Sequence, residues 1–595
     1  MRIALPVAAL AVAVGLVLSG CTTSTVVKGS EVAVAVADPL TSLNPATSYG
    51  RSSVTNGDVA SLTGTGFAYY DDGYGIVEDG SFGTAEIVAQ DPLTVRYTVS
   101  ADARWSDGTP VDAADLLLAW AANSGALNTP DFDDADWVDP ATGRYREDFP
   151  TDVVYFDGAI GAGLEKASQI PQISEDGRTI FLHFDEFVST WRLALAPGLP
   201  AHVVAAEALG VDGDAQAAKD ALVAAILGAD DEALGAIART WNDAYNVSET
   251  PDDPALLVAA GPYVVAEIGT EEVRLEANEA YRGDRRPTFE TIRIRISPDP
   301  LETVSLLAAG EVDIVSPEPS AEVIDALVAV DGVSVVAGSE GRFEHLDLQF
   351  ADGRSGALDD QAVREAFLSV VPRQAILDEL VVPVQQDAVL LDSFVFRPGA
   401  RGYADAIAEN GSDAYAETDV DRAVALLEEA GVAAPEVCIL YDPANPRRIT
   451  EFQLIRDSAT RAGFVVTDCS NPDWEGLLGV AGAYDAAIFA WDTTRLGPAA
   501  VGAVYRSDSD LANFNRYDNP DVDALVDELD GTDDPDEQSR ILGEIDARLW
   551  SDAYGVPLFS YPTVTAVRDT VTGVTRSPLA RTVFWNAWEW RPAED

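Results

Sequence analysis

The stretch from Leu93 to Trp120 constrains the fold more than any other. Leu93, Val95, Tyr97 and Val99 alternate with Thr94, Arg96, Thr98 and Ser100. That two-residue period predicts a strand with one buried face. Trp105-Ser106-Asp107-Gly108-Thr109-Pro110 follows, and its Asp-Gly step predicts a tight turn. Asp112 stands just ahead of the apolar run Leu116-Leu117-Leu118-Ala119-Trp120, with Asp115 three residues on. Asp112 is placed to cap a helix by accepting its free N–H groups. Asp115 adds negative charge in the first turn, where the helix dipole favours it. Strand, turn and capped helix in this order predict an α/β chain.

At 595 residues the chain exceeds one core, and two or three domains are expected. Its net charge of −62 is spread along the sequence, which argues against nucleic acid, whose phosphates it would repel. The same charge suits solubility in a salty exterior and mildly favours cationic cargo. Met1-Arg2 precedes an apolar run from Ile3 to Leu18, the pattern of an export signal and short for a membrane span. Leu18-Ser19-Gly20-Cys21 resembles a bacterial lipobox, which implies that Cys21 is lipidated. The mature chain is then held at the outer face of the cell membrane by lipid alone, on a polar tether over residues 21–30. Cys438 and Cys469 are the other cysteines. In an exported chain such a pair suggests a disulfide, with two buried thiols as the alternative.

Tyr97-x-Val99-x-x-x-Ala103-x-Trp105-Ser106-Asp107-Gly108-Thr109-Pro110-Val111-x-Ala113-x-Asp115 resembles the signature segment of family 5 extracellular solute-binding proteins. These are the oligopeptide, dipeptide and nickel receptors of ABC importers. Further resemblances follow in order along the chain: Leu43-Asn44-Pro45, the Leu-Pro-x-His step ending at His202, Gly261-Pro262-Tyr263, Gly310-Glu311-x-Asp313, Val363-Arg364-x-Ala366, Tyr517-x-Asn519-Pro520-x-Val522-Asp523 and Pro557-Leu558. Between them lie Val437–Tyr441, a helix from Phe452 to Ala462 and Phe464–Asp468, a βαβ unit whose strands should be parallel. Residues 212–241 are Ala-rich and helical in pattern and read as a surface insertion.

The resemblance implies an α/β, two-lobed periplasmic-binding-protein-like fold with an extra signature domain and a hinge between lobes. Expected boundaries are a signal peptide over 1–20, the tether over 21–30, lobe I over 31–65, the signature subdomain over 66–190, lobe I again over 191–299, lobe II over 300–555 and a return to lobe I over 556–595. Chain crossings are expected near Pro298 and Pro557. The implied function is capture of a small solute, an oligopeptide first of all, for the permease subunits of an ABC transporter. The protein should be a monomer with no cofactor and no enzymatic activity. Non-peptide solutes (a sugar, an opine, a metal chelate) remain open, as do a secreted hydrolase and an adhesion or signalling module.

Walker, zincin and serine-hydrolase motifs are absent from the sequence. Asp131, Asp133, Asp134, Asp136 and Asp139 lack the full spacing of a calcium loop, so a solvated acidic loop is expected there. Ligand contacts are expected from Asn44, from Tyr69 and Tyr70 in an aromatic loop, and from Trp491, Asp492, Thr494 and Arg495. In peptide-binding members the loop after Trp491 carries an Asp that pairs with the peptide ammonium. Alignment on Trp491 and Pro498 puts Thr494 there, with Asp492 two residues earlier.

Overall fold

The computed structural model describes residues 25–593 except 72–75, 91, 133, 135–136, 147, 152, 159–162, 189, 212, 493–496, 510–511, 533 and 577–582. Cys21 lies outside the described residues. Strand β1, Val27–Val36, opens the fold. A small hairpin, β2 (Ala68–Tyr70) and β3 (Ile76–Glu78), follows. Next come β4 (Gly83–Gln90), β5 (Leu93–Val99), β6 (Gln172–Ile173) and β7 (Thr179–His183). These four make an antiparallel sheet in the order β4-β5-β7-β6. The remaining strands are β8 (Tyr263–Ile268), β9 (Glu272–Ala277), β10 (Phe289–Ile296), β11 (Ile314–Val315) and β12 (Val333–Leu348). A short antiparallel pair, Val571–Thr572 with Arg591–Pro592, stands apart, and β13 (Glu436–Leu440), β14 (Val465–Asp468), β15 (Ala486–Asp492) and β16 (Gly555–Arg568) are the last strands of the large sheet. With β1 they build one ten-stranded sheet, ordered β14-β13-β15-β12-β16-β11-β1-β10-β9-β8.

Two strands run through both lobes. Val333–Ser339 of β12 pairs with Pro562–Arg568 of β16 in lobe I, whereas Phe343–Asp347 pairs with Gly555–Ser560 in lobe II. The crossings therefore fall inside β12, well after Pro298, and inside β16, between Ser560 and Pro562 and so close to Pro557. Pro557 and Pro562 border the irregularities of the β12–β16 register, where a strand tolerates a missing donor. The expected lobe II of 300–555 is corrected accordingly. Helix Pro300–Ala309, β11 and helix Ala321–Val328 stay with lobe I, where Val304, Leu307 and Leu327 pack on Ala33, Ala35 and Val564. Two other expectations change. Residues 25–30 are docked, with Thr25 Oγ1 donating to Pro287 O at 2.7 Å and Val27 N to Thr288 O at 2.8 Å, so the tether is shorter than 21–30.

The second change concerns residues 191–260, which belong to the core of the signature subdomain. Helices Ala215–Gly228 and Asp231–Asp243 bury Leu222, Ile226, Leu234, Ile237 and Trp241 against Trp120, Leu182 and Phe184. They are no surface insertion. Alanine carries little contrast between faces, so the pattern hid the buried side.

The signature segment folds as its residues predict and does more. Helix Ala113–Asn123 is capped by Asp112 in a capping box closed by Asp115. Asp115 is fully buried and accepts from Asp112 N at 2.9 Å, Ala201 N at 2.9 Å and Lys219 Nζ at 2.7 Å. Lys219, itself buried, also donates to Pro110 O at 2.8 Å and reaches Asp112 Oδ1 at 3.1 Å. One carboxylate thus joins the starts of two helices to the middle of a third. His202 Nε2 lies 2.9 Å from Asp107 Oδ2 and ties the tight turn to the same junction. A buried charge stripped of its partner costs about 3–5 kcal/mol. Lys219→Met is expected to lower stability by that amount in urea unfolding, far more than removal of exposed Arg96 from its pair with Glu86.

In lobe II, β13, helix Pro446–Arg461 and β14 form the βαβ unit with parallel strands. Cys438 and Cys469 are joined by a disulfide across it, with Cα atoms 5.6 Å apart and a sequence separation of 31. Loop-closure entropy assigns such a link about 3–4 kcal/mol. The Cys438→Ala, Cys469→Ala double variant should lose stability on that scale, and thiol labelling of the denatured, unreduced wild type should find neither residue.

Candidate functional site

The cleft lies where β12 and β16 pass between lobes. From Ser339 to Phe343 β12 advances four positions while β16 moves only from Pro562 to Ser560. Such a bulge leaves residues out of the ladder and re-aims them. Arg342 sits at this irregularity, its backbone opposite Asp492 of β15. Its guanidinium lies 4.8 Å from the centre of the Tyr561 ring, and Arg447 covers the same ring at 4.1 Å. Tyr561 donates its hydroxyl to Glu344 at 2.6 Å, and Glu344 also accepts from Arg448 at 3.2 Å.

Arg447 and Arg448 occupy the first turn of helix Pro446–Arg461. Asn445 caps it, accepting from Arg447 N at 3.0 Å, with Pro446 at the first position. Cations at a helix start oppose its dipole. Their placement costs helix stability and is held by the aromatic ring and carboxylates they meet. Arg447 further lies 3.6 Å from Glu318, in the loop after β11, an ion pair from one lobe to the other.

On the lobe I side a cavity of about 360 Å³ opens at the carboxyl end of β1, lined among others by Asp38, Thr55, Asp58, Ser316 and Arg342. Ligands of α/β sheets sit beyond such strand ends. Arg576 donates to Thr565 Oγ1 at 2.7 Å and Ser316 Oγ at 3.3 Å. Arg342 and Arg447 thus share the Tyr561 ring, Arg342 lines the same cavity as Ser316, and Arg576 reaches Ser316. Among the described residues no group of His, Cys, Asp and Glu is arranged to hold a metal ion.

The expected contact residues are distributed unevenly. Asn44 is a correction: it is buried, donates to Trp241 O at 2.8 Å and accepts from Ala46 N at 3.2 Å, so it shapes the loop after β1. Tyr69 is half-buried, its ring 5.7 Å from Trp588 with Arg285 over both rings at 5.3 and 5.4 Å. Tyr70 is exposed, and Arg397 of lobe II lies within electrostatic reach of its hydroxyl. Trp491 pairs with Phe343 at the lobe edge, but its ring is half-buried and nearly parallel to His345 at 5.9 Å and Phe514 at 5.6 Å. It belongs to the aromatic packing of lobe II and does not stand as a free plate over the cleft. Asp492 ends β15, and Thr494 and Arg495 lie outside the described residues.

Sequence reasoning missed Arg342, Arg447, Arg448, Tyr561 and Arg576. A usable signal existed in Asn445-Pro446-Arg447-Arg448, adjacent arginines at a capped helix start in a chain with 38 basic against 100 acidic residues.

The sequence profile of the bacterial extracellular solute-binding proteins, family 5, matches residues 83–513. The chain belongs to this family. Its members are transport receptors that do no chemistry on their cargo. An uncharacterized lipoprotein of Mycobacterium tuberculosis is 26% identical over 588 residues, covering 96% of each chain. The oligopeptide-binding protein OppA of Mycobacterium bovis is 23% identical over 86% of this chain and 76% of its own. Among solved structures, a periplasmic EDTA-binding protein, EppA, superposes with a TM-score of 0.74 at 19% identity, covering 98% of this chain and 100% of that one. The chain is thus a lipid-anchored, extracytoplasmic receptor that delivers a small solute to an ABC transporter.

Glu451 stands one turn beyond Arg447 and Arg448. It is fully buried, and neither carboxyl oxygen has a hydrogen-bond partner among the described residues. Burial, and then the charge of Glu344, push it well above the usual carboxylate range despite Arg447 and Arg448. The unfolded chain releases this proton near pH 4.3, while the folded chain keeps it to higher pH. Stability therefore falls as pH rises from the unfolded value through the folded one. Glu451→Gln, neutral throughout, should match the wild type in calorimetry near pH 4 and exceed it by a margin that widens toward pH 8.

Proposed function

We propose that the cargo is a small anion rich in carboxylates, free or wrapped around a metal ion, and not a free peptide. The observation that carries this reading is the pair Arg342 and Arg447 on Tyr561, with Arg342 and the Arg576 partner Ser316 in the wall of the adjoining cavity. Guanidinium binds carboxylate through two parallel hydrogen bonds. Alignment on Trp491 and Pro498, which puts Thr494 at the position of the ammonium-pairing acid of peptide-binding members, supports the same reading. So does the likeness to an EDTA-binding protein. Kinship with an oligopeptide-binding protein, together with Asp38 and Asp58 in the cavity wall, keeps peptide as the second reading.

Calorimetric titration separates the two. Citrate, EDTA and nickel-EDTA should bind saturably and more weakly as salt rises, whereas tripeptides should give no heat. Arg342→Gln and Arg447→Gln should each lose about 1.5–3 kcal/mol of that affinity, the scale of a charge-assisted hydrogen bond. Saturable tripeptide binding with silent carboxylates would reverse the proposal while leaving the receptor role intact.

A further inference from the structure

A second cavity lies wholly within lobe I, away from the cleft. Its volume is about 240 Å³, above the roughly 150 Å³ that suffices to hold benzene in an aliphatic core. It occupies the seam between the signature subdomain and the main sheet: Ala119 and Trp241 come from one side, Ala60 and Val265 from the other. No charged residue lines it, and exposed Ala196 and Gly198 stand on its wall.

Its polar groups are almost all committed. Asn44 bonds Trp241 O and Ala46 N, Thr63 Oγ1 donates to Val59 O at 2.9 Å, and Asn123 donates to Ala119 O at 2.8 Å. Thr65 Oγ1 accepts from Arg285 at 3.2 Å. The exception is Tyr245, 1% exposed, whose hydroxyl has no hydrogen-bond partner among the described residues. A buried hydroxyl without a partner is costly, and burial pushes its ionisation up, so it remains a neutral phenol able to donate or accept.

We infer that this cavity is a second ligand site, separate from the transport cleft, that takes a neutral and mostly apolar molecule of about ten non-hydrogen atoms carrying one hydroxyl or carbonyl for Tyr245. Absence of lining charge excludes the anions proposed for the cleft, and the volume excludes a peptide. The site does not rest on the cargo reading, because every lining residue belongs to lobe I.

The probe is 2-naphthol, titrated calorimetrically into the intact protein and compared with naphthalene. Wild type should bind one equivalent of 2-naphthol, and naphthalene about tenfold more weakly, the worth of one hydrogen bond. Tyr245→Phe should lose that preference while still binding naphthalene. Ala60→Phe, which fills the cavity, should bind neither, and Ala119→Leu serves if that variant does not fold. Near-UV circular dichroism checks the fold of each variant. No saturable binding by the wild type, or undiminished 2-naphthol binding in a folded cavity-filling variant, would overturn the inference. So would a preference for the hydroxyl that survives in Tyr245→Phe.

Discussion

The pairing of β12 with β16 is the constraint on which everything else depends. Each strand spends one half in lobe I and the other in lobe II, so the two lobes share a continuous backbone ladder and are not joined by a loose linker. Where the register slips, between Ser339 and Phe343, the ladder loses bonds and gains twist. Closure of the lobes can be absorbed at this point with the hydrogen bonds on either side intact. The same slip places Arg342 beside Tyr561, so the proposed binding wall and the crossing between lobes are one piece of structure.

Electrostatics sharpen that arrangement. The chain carries far more acid than base, yet arginines collect at the cleft, and the buried carboxylates near them are muted. Glu344 is bound by Arg448 and Tyr561, and Glu451 resists ionisation. A cationic wall in an anionic protein draws an anion only at short range, after the bulk field has been screened. Selectivity then comes from geometry at the wall more than from long-range steering.

Much of the fold was legible because strong local signals agreed. The alternation at Leu93–Val99, the cap at Asp112 and the βαβ unit around Pro446–Arg461 appear as read. What failed shares one cause. The lobe boundary, the buried helices after Asp214 and the docking of residues 25–30 are decided by partners far away in sequence: β16, Asp115 and Pro287. The site was less legible still. Asn44 is a polar residue near the right strand end, but its hydrogen bonds are internal. Arg342 and Arg576 reach Tyr561 and Ser316 only through the fold, and no spacing in the chain announces them.

The place of β16 in the sheet order has a consequence for how the protein is made. β16 lies between β12 and β11, in the middle of the sheet, although it begins only at Gly555. An exported chain emerges amino end first, so β1 and the signature subdomain reach the far side of the membrane long before the strand that completes their sheet. Until then β11 and β12 present open edges, a template for wrong pairing. The helices sealed by Asp115 and Lys219 can form earlier from residues already delivered. Arrival of β16 therefore sets when the two lobes can share their common ladder.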